Sequence, residues 1–328
     1  MKKKIKLILL PTLLFSLCAC SSEEKVKDKE SYIVKETLTD TYNMIENKVV
    51  YIKSYTGEDY EVGSGVAFKE DETYVYFLTN KHVVSTISSL YVDHYENVEV
   101  RFKDGTVEAG TIVGSYKEID VAVVKVEKEK ITGSYSLANI DVNSKIGETV
   151  VAYGNPMMIP FVMSSGIVSN LYSEVDFTVD GLGKYYGIQI DASINPGNSG
   201  GGLFDVDGNL LGIVQGGISD RNGIGYAIPI GYANHVANKL IENGSYTVND
   251  YGFEYKDLSE VNYEMEGIST SIKAGIYVTS GDYAGKIIKS INGKEIKSIG
   301  EMYMLRFLSE GAYTITYINK DGTDFLEW

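Results

Sequence analysis

One serine lies in a setting that suits acyl transfer. Ser199 follows the turn residues Asn195-Pro196-Gly197-Asn198 and precedes three glycines, Gly200 to Gly202. Glycine on both sides of a serine lets the backbone turn its N–H groups toward a ligand with no Cβ in the way. An oxyanion hole at Gly197, Asn198 and Ser199 would then stabilise the charge of a tetrahedral intermediate. The same residues are also ordinary turn formers, so the stretch alone leaves both interpretations open.

A histidine and an aspartate upstream complete a catalytic set. His82 follows the strand-like run 77–81 and is expected at a strand edge, and Asp120 stands at the mouth of the apolar run 121–126. The chain order His, Asp, Ser is the chymotrypsin order. In such a set His82 accepts the proton of Ser199, and Asp120 holds the imidazole in the useful tautomer.

Other acidic and histidine residues have simpler explanations. Asp104 precedes Gly105 in a turn signature, Asp93 lies in the polar loop around His94, and His235 belongs to an amphipathic helical pattern. No pair of His or Cys has the spacing of metal ligands. The sequence therefore predicts no metal and no cofactor.

Six motifs, in a shared order over roughly residues 45 to 243, resemble the HtrA/Deg family of trypsin-like serine proteases. They are Gly63-Ser64-Gly65-Val66, Thr79-Asn80-Lys81-His82-Val83, Asp120-Val121-Ala122-Val123, Gly154-Asn155-Pro156, the stretch from Asp191 to Gly201, and Gly225-Tyr226-Ala227-Ile228-Pro229. The resemblance implies a chymotrypsin-like double β-barrel, with His82 and Asp120 from the first barrel and Ser199 from the second.

The same resemblance implies a substrate site. Ser193, six residues before Ser199, has the position that forms the floor of the S1 pocket in trypsin-like enzymes, with Ile194 and Ile218 narrowing that pocket. A neutral floor offers no attraction for Lys or Arg, so we expect cleavage after small or medium aliphatic residues. The stretch Gln215-Gly216-Gly217 would pair with the substrate backbone.

Composition narrows the function classes. The 328 residues carry a net charge of −15, and removal of Lys2, Lys3, Lys4 and Lys6 with a leader leaves 26 basic and 45 acidic residues, or −19. Nucleic-acid binding needs a basic footprint, so a nucleic-acid partner is not expected. Both cysteines, Cys18 and Cys20, end the leader. The folded region therefore has neither an internal disulfide nor a thiol nucleophile.

The N-terminus has the pattern of an export signal. A basic start and an apolar run of about eleven residues, too short to cross a bilayer of about 30 Å, fit a secretory signal peptide at 1–19. Leu17-Cys18-Ala19-Cys20 resembles a bacterial lipoprotein box with Cys20 as the lipidated residue. The alternative is a plain signal peptide with incidental cysteines. Residues 20–31 are highly charged and have few apolar residues, so they are predicted to be a solvated tether. Together these features predict an enzyme outside the cytoplasmic membrane, held there by acyl chains on its N-terminus.

Residues 32–244 are predicted to form an all-β domain. Many short strands rich in Val, Ile and Tyr, separated by turn residues, are typical of barrels. Residues 32–47 form either a short helix or an arm that packs on this domain, and in HtrA relatives this region often contributes to a trimer. Apolar spacing predicts a closing helix over 229–243, stopped by Gly244.

Residues 250–328 are predicted to be a separate, small α+β domain. Gly281-Asp282 before a strand and the hairpin turn Asn292-Gly293 resemble a degenerate PDZ domain, with a groove helix at 302–308 and a last strand at 312–319. PDZ domains bind chain ends by strand addition. The alternative is a β-rich stabilising appendage with no peptide groove.

Three functional hypotheses remain at this stage. The first, as implied by the family, is an envelope endopeptidase acting on unfolded or misfolded exported proteins. The second is a chaperone-like or peptide-binding lipoprotein with weak or vestigial proteolysis. The third is a processing enzyme dedicated to one partner. The intact set of His82, Asp120 and Ser199 favours the first.

Overall fold

The computed structural model describes residues 37–86, 94–156, 161–176, 184–217, 223–248, 250–308 and 312–325. The predicted signal peptide, the tether, Cys20 and Ile218 lie outside these ranges. No helix within the described ranges is long and apolar enough to cross a membrane.

The first barrel consists of six antiparallel strands. Their bounds are β1 Val49–Thr56, β2 Asp59–Glu70, β3 Tyr74–Asn80, β4 Asn97–Arg101, β5 Val107–Tyr116 and β6 Val121–Glu127. The strand order β1-β2-β3-β6-β5-β4 closes because β4 pairs back onto β1. β-Branched and aromatic residues alternate inward along these strands, and a buried cluster that includes Ile52, Phe77 and Phe102 fills the barrel.

The second barrel uses strands from the middle of the chain. Their bounds are β7 Asn139–Ile140, β8 Thr149–Gly154, β9 Val162–Asp176, β10 Lys184–Ile190, β11 Gly202–Asp205, β12 Asn209–Gly217 and β13 Gly225–Pro229. Six of them close in the order β11-β8-β9-β10-β13-β12 through a β11–β12 pairing, and β7 adds to β12 in parallel. The two closed barrels confirm the predicted double-barrel fold.

Helices at either end of the barrels agree with the sequence patterns. Helix α1 (Leu38–Ile45) begins at a capping box formed by Thr37 and Asp40. It packs on the second barrel, where the Thr41 hydroxyl donates to the Val206 carbonyl. Of the two alternatives for residues 32–47, the described part is thus a helix. Helix α3 (Ile230–Asn243) buries one face and ends at Gly244, whose φ of 73° closes the last turn.

The C-terminal module comprises residues 250–325. Its elements are β14 Tyr255–Asp257, α4 Tyr263–Glu266, β15 Ile276–Val278, β16 Ile287–Ile291, β17 Lys294–Glu295, α5 Ile299–Leu305, β18 Ile315–Ile318 and β19 Asp324–Phe325. The strands form one sheet. Asn292 and Gly293 both have positive φ, as a two-residue hairpin turn with matching twist requires. The sheet is consistent with a PDZ-like domain.

Helix α5 differs in extent from the predicted groove helix. It starts three residues earlier, because the Ser298 side chain accepts from the Glu301 N–H and caps the helix at that point. A 3-10 turn over 306–308 follows it.

The C-terminal module packs tightly on the barrels. Met304 and Phe307 join the largest core cluster, and the Tyr116 ring lies edge-on to Phe307. The Arg306 guanidinium lies 3.4 Å from the Glu118 carboxylate of the β5–β6 turn. All described residues therefore belong to one compact unit.

Candidate active site

His82 and Asp120 meet between β3 and β6. Strand β3 ends at Asn80, and His82 lies in a single helical turn, α2 (Lys81–Val84), rather than at the strand edge that the sequence predicted. The His82 Nδ1 lies 2.7 Å from the Asp120 Oδ2, and the His82 backbone N–H donates to Oδ1 at 3.0 Å. The carboxylate thus holds both the ring and the backbone of the histidine.

Backbone conformation and backbone hydrogen bonds hold Asp120 in position. Its φ of 54° is in the left-handed region, which Asp tolerates better than most residues. Its carbonyl accepts from the Lys81 N–H at 3.1 Å and from the Asn80 Nδ2 at 3.0 Å. The turn 117–120 is therefore tied to the turn that carries His82.

The environment of His82 tunes its basicity. Burial lowers the pKa of the imidazole. The charge of Asp120 and its hydrogen bond together raise that pKa by more than burial lowers it, so the net shift is upward from 6.5. Glu61 adds to the rise and Lys81 opposes it. A carboxylate paired with Nδ1 leaves Nε2 as the nitrogen that can accept a proton from a nucleophile.

Ser199 follows a turn in which two of the three N–H groups predicted for an oxyanion hole have no acceptor among the described residues. Gly197 has a φ of 99°, and its carbonyl accepts from the Ser64 hydroxyl at 2.8 Å, away from Ser199. Neither the Gly197 nor the Ser199 N–H has a hydrogen-bond acceptor among the described residues. The Asn198 N–H donates to the Asn195 carbonyl at 3.0 Å. Two of the three predicted hole positions thus keep a free donor, and Asn198 instead closes the turn.

Ser64 of the first barrel and Asn155, which follows β8 of the second, hold this turn, and the sequence indicated no role for either residue. Ser64 donates its backbone N–H to the Ser199 carbonyl at 2.8 Å. Asn155 donates its backbone N–H to the Ser64 hydroxyl at 3.0 Å. A Cβ on Gly200 would lie 2.1 Å from the Ser64 carbonyl oxygen. The motifs 63–66 and 154–156 were visible in the sequence, but only the fold brings them next to the turn that carries Ser199.

The Ser199 hydroxyl does not hydrogen-bond to His82 in this structure. It donates to the Gln215 carbonyl at 2.8 Å. His82 follows a strand of the first barrel and Ser199 precedes β11 of the second, and a rotation about the serine Cα–Cβ bond would release the hydroxyl from the Gln215 carbonyl.

The predicted substrate residues that the structure describes lie on the segments next to Ser199 and at the end of β12. Ile194 lies against Gly225, where a Cβ would come within 2.6 Å of the isoleucine side chain. Ser193 is exposed and its carbonyl accepts from the Ser164 hydroxyl. Gly216 is open, since a Cβ there would meet nothing within 4 Å, and Gly217 follows it at the end of β12.

The Gln215 side chain is buried next to Asp120, with 4% of its surface exposed. Its Nε2 donates to the Asp120 Oδ2 at 3.1 Å. The family resemblance placed Gln215 among the residues that pair with the substrate backbone, and nothing in the sequence indicated a role for its side chain.

The remaining histidines and Asp104 lie where the sequence predicted. His94 bonds the Ser115 hydroxyl at the surface, His235 packs against Tyr246 on α3, and Asp104 accepts from the Thr106 N–H in its turn. The described ranges contain no group of three or more His, Cys, Asp or Glu arranged to hold a metal ion.

Two consecutive six-stranded antiparallel barrels define the fold class of the chymotrypsin-like serine proteases. The profile described as a trypsin-like peptidase domain matches residues 63–213. The chain is 36% identical over 274 residues to Serine protease Do-like HtrA of Bacillus subtilis (strain 168), covering 76% of this chain and 58% of that protein. We identify the chain as a member of the HtrA family of trypsin-like serine proteases.

Further relatives agree in fold. A Serine protease HtrA-like of Staphylococcus aureus (strain MRSA252) is 30% identical over 255 residues, which are 71% of this chain and 32% of that protein. The structure of the HtrA-type protease AlgW with tripeptide superposes with a TM-score of 0.65 at 26% identity, covering 88% of this chain and 94% of that one. The chain thus spans about a third to three fifths of the length of these two sequence relatives.

Proposed function

We propose that the protein is a serine endopeptidase that uses Ser199, His82 and Asp120. The observation that carries the proposal is the part-buried His82–Asp120 pair at 2.7 Å, together with a serine hydroxyl flanked by two N–H groups that have no acceptor among the described residues. A nucleophile, a base held by a carboxylate, and donors for developing negative charge are the three parts that acyl transfer needs.

The proposed reaction proceeds in two halves. His82 accepts the proton of Ser199 as the oxygen attacks a peptide carbonyl, and the Gly197 and Ser199 N–H groups stabilise the resulting oxyanion. His82 then donates the proton to the leaving amine. In the second half, water attacks the acyl group on Ser199 while His82 accepts a proton from that water, and His82 then returns the proton to the Ser199 oxygen as the acid product leaves. The negative charge of Asp120 stabilises the imidazolium that forms in each half.

One observation favours the second candidate, a chaperone-like protein with weak or vestigial proteolysis. The Ser199 hydroxyl is bonded to the Gln215 carbonyl and not to His82. The proposed enzyme accommodates this contact, because the same carbonyl is the one we assign to the substrate backbone. A peptide N–H that takes this acceptor would free the hydroxyl to turn toward His82.

Further parts of the proposal concern the substrate and the setting. We assign unfolded or misfolded extracytoplasmic proteins as substrates, cleaved after small aliphatic residues. The neutral Ser193 and the apolar Ile194 support this preference, and Ile218 belongs to the same proposed pocket. We further propose lipid anchoring through Cys20, a homotrimer, and a protease domain at 32–244 followed by a PDZ-like domain at 250–328.

The test compares wild-type and Ser199→Ala protein on casein and on an unfolded peptide. The proposed function predicts cleavage by the wild type and complete loss in the variant, with peptide binding retained. Absence of cleavage by the wild type, with binding intact in both, would instead establish the chaperone-like candidate.

A further inference from the structure

The triad carboxylate has a third donor that comes from the second barrel. The Asp120 Oδ2 that accepts from the His82 ring also accepts from the Gln215 Nε2, at 2.7 and 3.1 Å respectively. Only 1% of the Asp120 surface is exposed. A buried carboxylate depends on protein donors, and Gln215 supplies one of the three that reach its oxygens.

The orientation of the Gln215 amide is fixed by a second contact. An ionised carboxylate only accepts hydrogen bonds, so Gln215 must present its NH₂ to Asp120 and its Oε1 to the opposite side. On that side the Tyr185 hydroxyl donates to Oε1. Burial keeps the pKa of Tyr185 well above its usual value, so the phenol stays protonated and remains a donor.

Tyr185 has no other evident reason to place a hydroxyl there. It is fully buried in β10, inside the largest core cluster, where a phenylalanine would fill the same volume. A buried hydroxyl is costly unless it is bonded, and the acceptor it has found is an amide that in turn touches the triad. Donors linked in series also polarise each other and strengthen each bond.

We propose that Gln215 and Tyr185 form a positioning pair for the triad, in which Tyr185 orients the Gln215 amide and Gln215 holds Asp120 against His82. The inference rests on the proposed endopeptidase function. It gives the Gln215 side chain a role separate from that of its backbone carbonyl, which bonds Ser199. The pair acts through Asp120 and touches no reacting atom.

The test uses Tyr185→Phe, Gln215→Met and the double variant, with kcat and KM measured on one peptide substrate. Gln215→Met removes the amide and keeps the backbone carbonyl and a similar length. We expect kcat about 10-fold lower in Tyr185→Phe and about 30-fold lower in Gln215→Met, with KM within about twofold of wild type, because the lost orientation matters in the transition state. The double variant should be no slower than Gln215→Met, since Tyr185 acts only through the amide.

Two further readouts separate positioning from general destabilisation. Tyr251→Phe is the matched control, because it removes a buried hydroxyl that donates to the Met302 carbonyl at 2.7 Å in the C-terminal module, and its kcat should equal that of wild type. In Gln215→Met the carboxylate loses a donor, so its charge acts more strongly on His82 and the acidic limb of the pH profile should move to higher pH. Glu61 and Lys81, the other charged groups that influence His82, are unchanged in every variant.

The outcomes are distinct. Three results would each refute the positioning role of the pair. The first is a wild-type kcat in Tyr185→Phe, and the second is a double variant whose loss is the product of the two single losses. The third is a loss of kcat that disappears when rates are scaled to the folded fraction measured by circular dichroism. A wild-type protein that cleaves nothing refutes the proposed function itself. An active wild type with an unaffected Tyr185→Phe variant refutes only this inference.

Discussion

Asp120→Asn is the substitution whose consequences the structure defines most fully. The Asp120 carboxylate accepts three hydrogen bonds, one on Oδ1 from the His82 N–H and two on Oδ2, from the His82 ring and the Gln215 amide. An asparagine of the same shape offers one accepting oxygen, and its NH₂ group then faces a donor at the other position.

Both orientations of that asparagine are unfavourable. If the NH₂ faces the ring, the His82 Nδ1 must become the acceptor, and the proton moves to Nε2, which can then no longer take a proton from Ser199. If it faces the His82 backbone N–H, a buried donor loses its acceptor, at about 1–3 kcal/mol of stability. The ring position carries two donors, which favours the amide oxygen there. In both orientations the site loses the negative charge that stabilises the imidazolium, and this substitution in such triads reduces kcat about 10⁴-fold, or about 5.4 kcal/mol.

The assay measures kcat on a peptide substrate together with thermal unfolding. Asp104→Asn is the matched control, since Asp104 accepts hydrogen bonds in a surface turn outside the site and its variant should retain wild-type kcat. A folded Asp120→Asn protein with kcat within tenfold of wild type would refute the role assigned to the carboxylate.

Three further predictions concern separate parts of the site. Gly200→Ala should lower the free energy of unfolding, measured by denaturant titration, by about 2–4 kcal/mol, because φ at this position is +81° and the new Cβ would lie 2.1 Å from a carbonyl oxygen. Gly216→Ala is the control, because its Cβ would meet nothing within 4 Å, and it should unfold like wild type. The acidic limb of kcat/KM should have its midpoint above pH 6.5, since His82 must be neutral to accept a proton and its pKa is raised; a midpoint below 6.5 would contradict this. Ser193→Asp should add cleavage after Lys and Arg in a peptide library, and an unchanged library profile would remove Ser193 from the S1 floor.

Much of the architecture could be predicted because local signals and the fold agree. Both barrels consist of short strands rich in β-branched and aromatic residues between turn formers, which is the pattern that predicted an all-β domain. Helix α3 ends at the glycine that the pattern marked, where a left-handed residue closes the helix. The hairpin at Asn292-Gly293 needs only its two turn residues to be recognised.

What could not be predicted depends on contacts between distant segments. The helical turn that carries His82 is only four residues long, which is too short for a helical repeat of apolar residues to be recognised in the sequence. Gln215 and Tyr185 lie 30 positions apart on β12 and β10, and nothing local marks either as a neighbour of Asp120. The packing of Phe307 into the barrel core likewise became evident only when the C-terminal module was seen in place.

The nucleophile can be tested directly by treating the protein with a fluorophosphonate and locating the adduct by mass spectrometry of its peptides. Attack by an activated serine predicts one adduct, on the peptide that contains Ser199, and none after Asp120→Asn at the same exposure. Peptide cleavage that persists while Ser199 remains unmodified, or an adduct at another serine, would contradict the account.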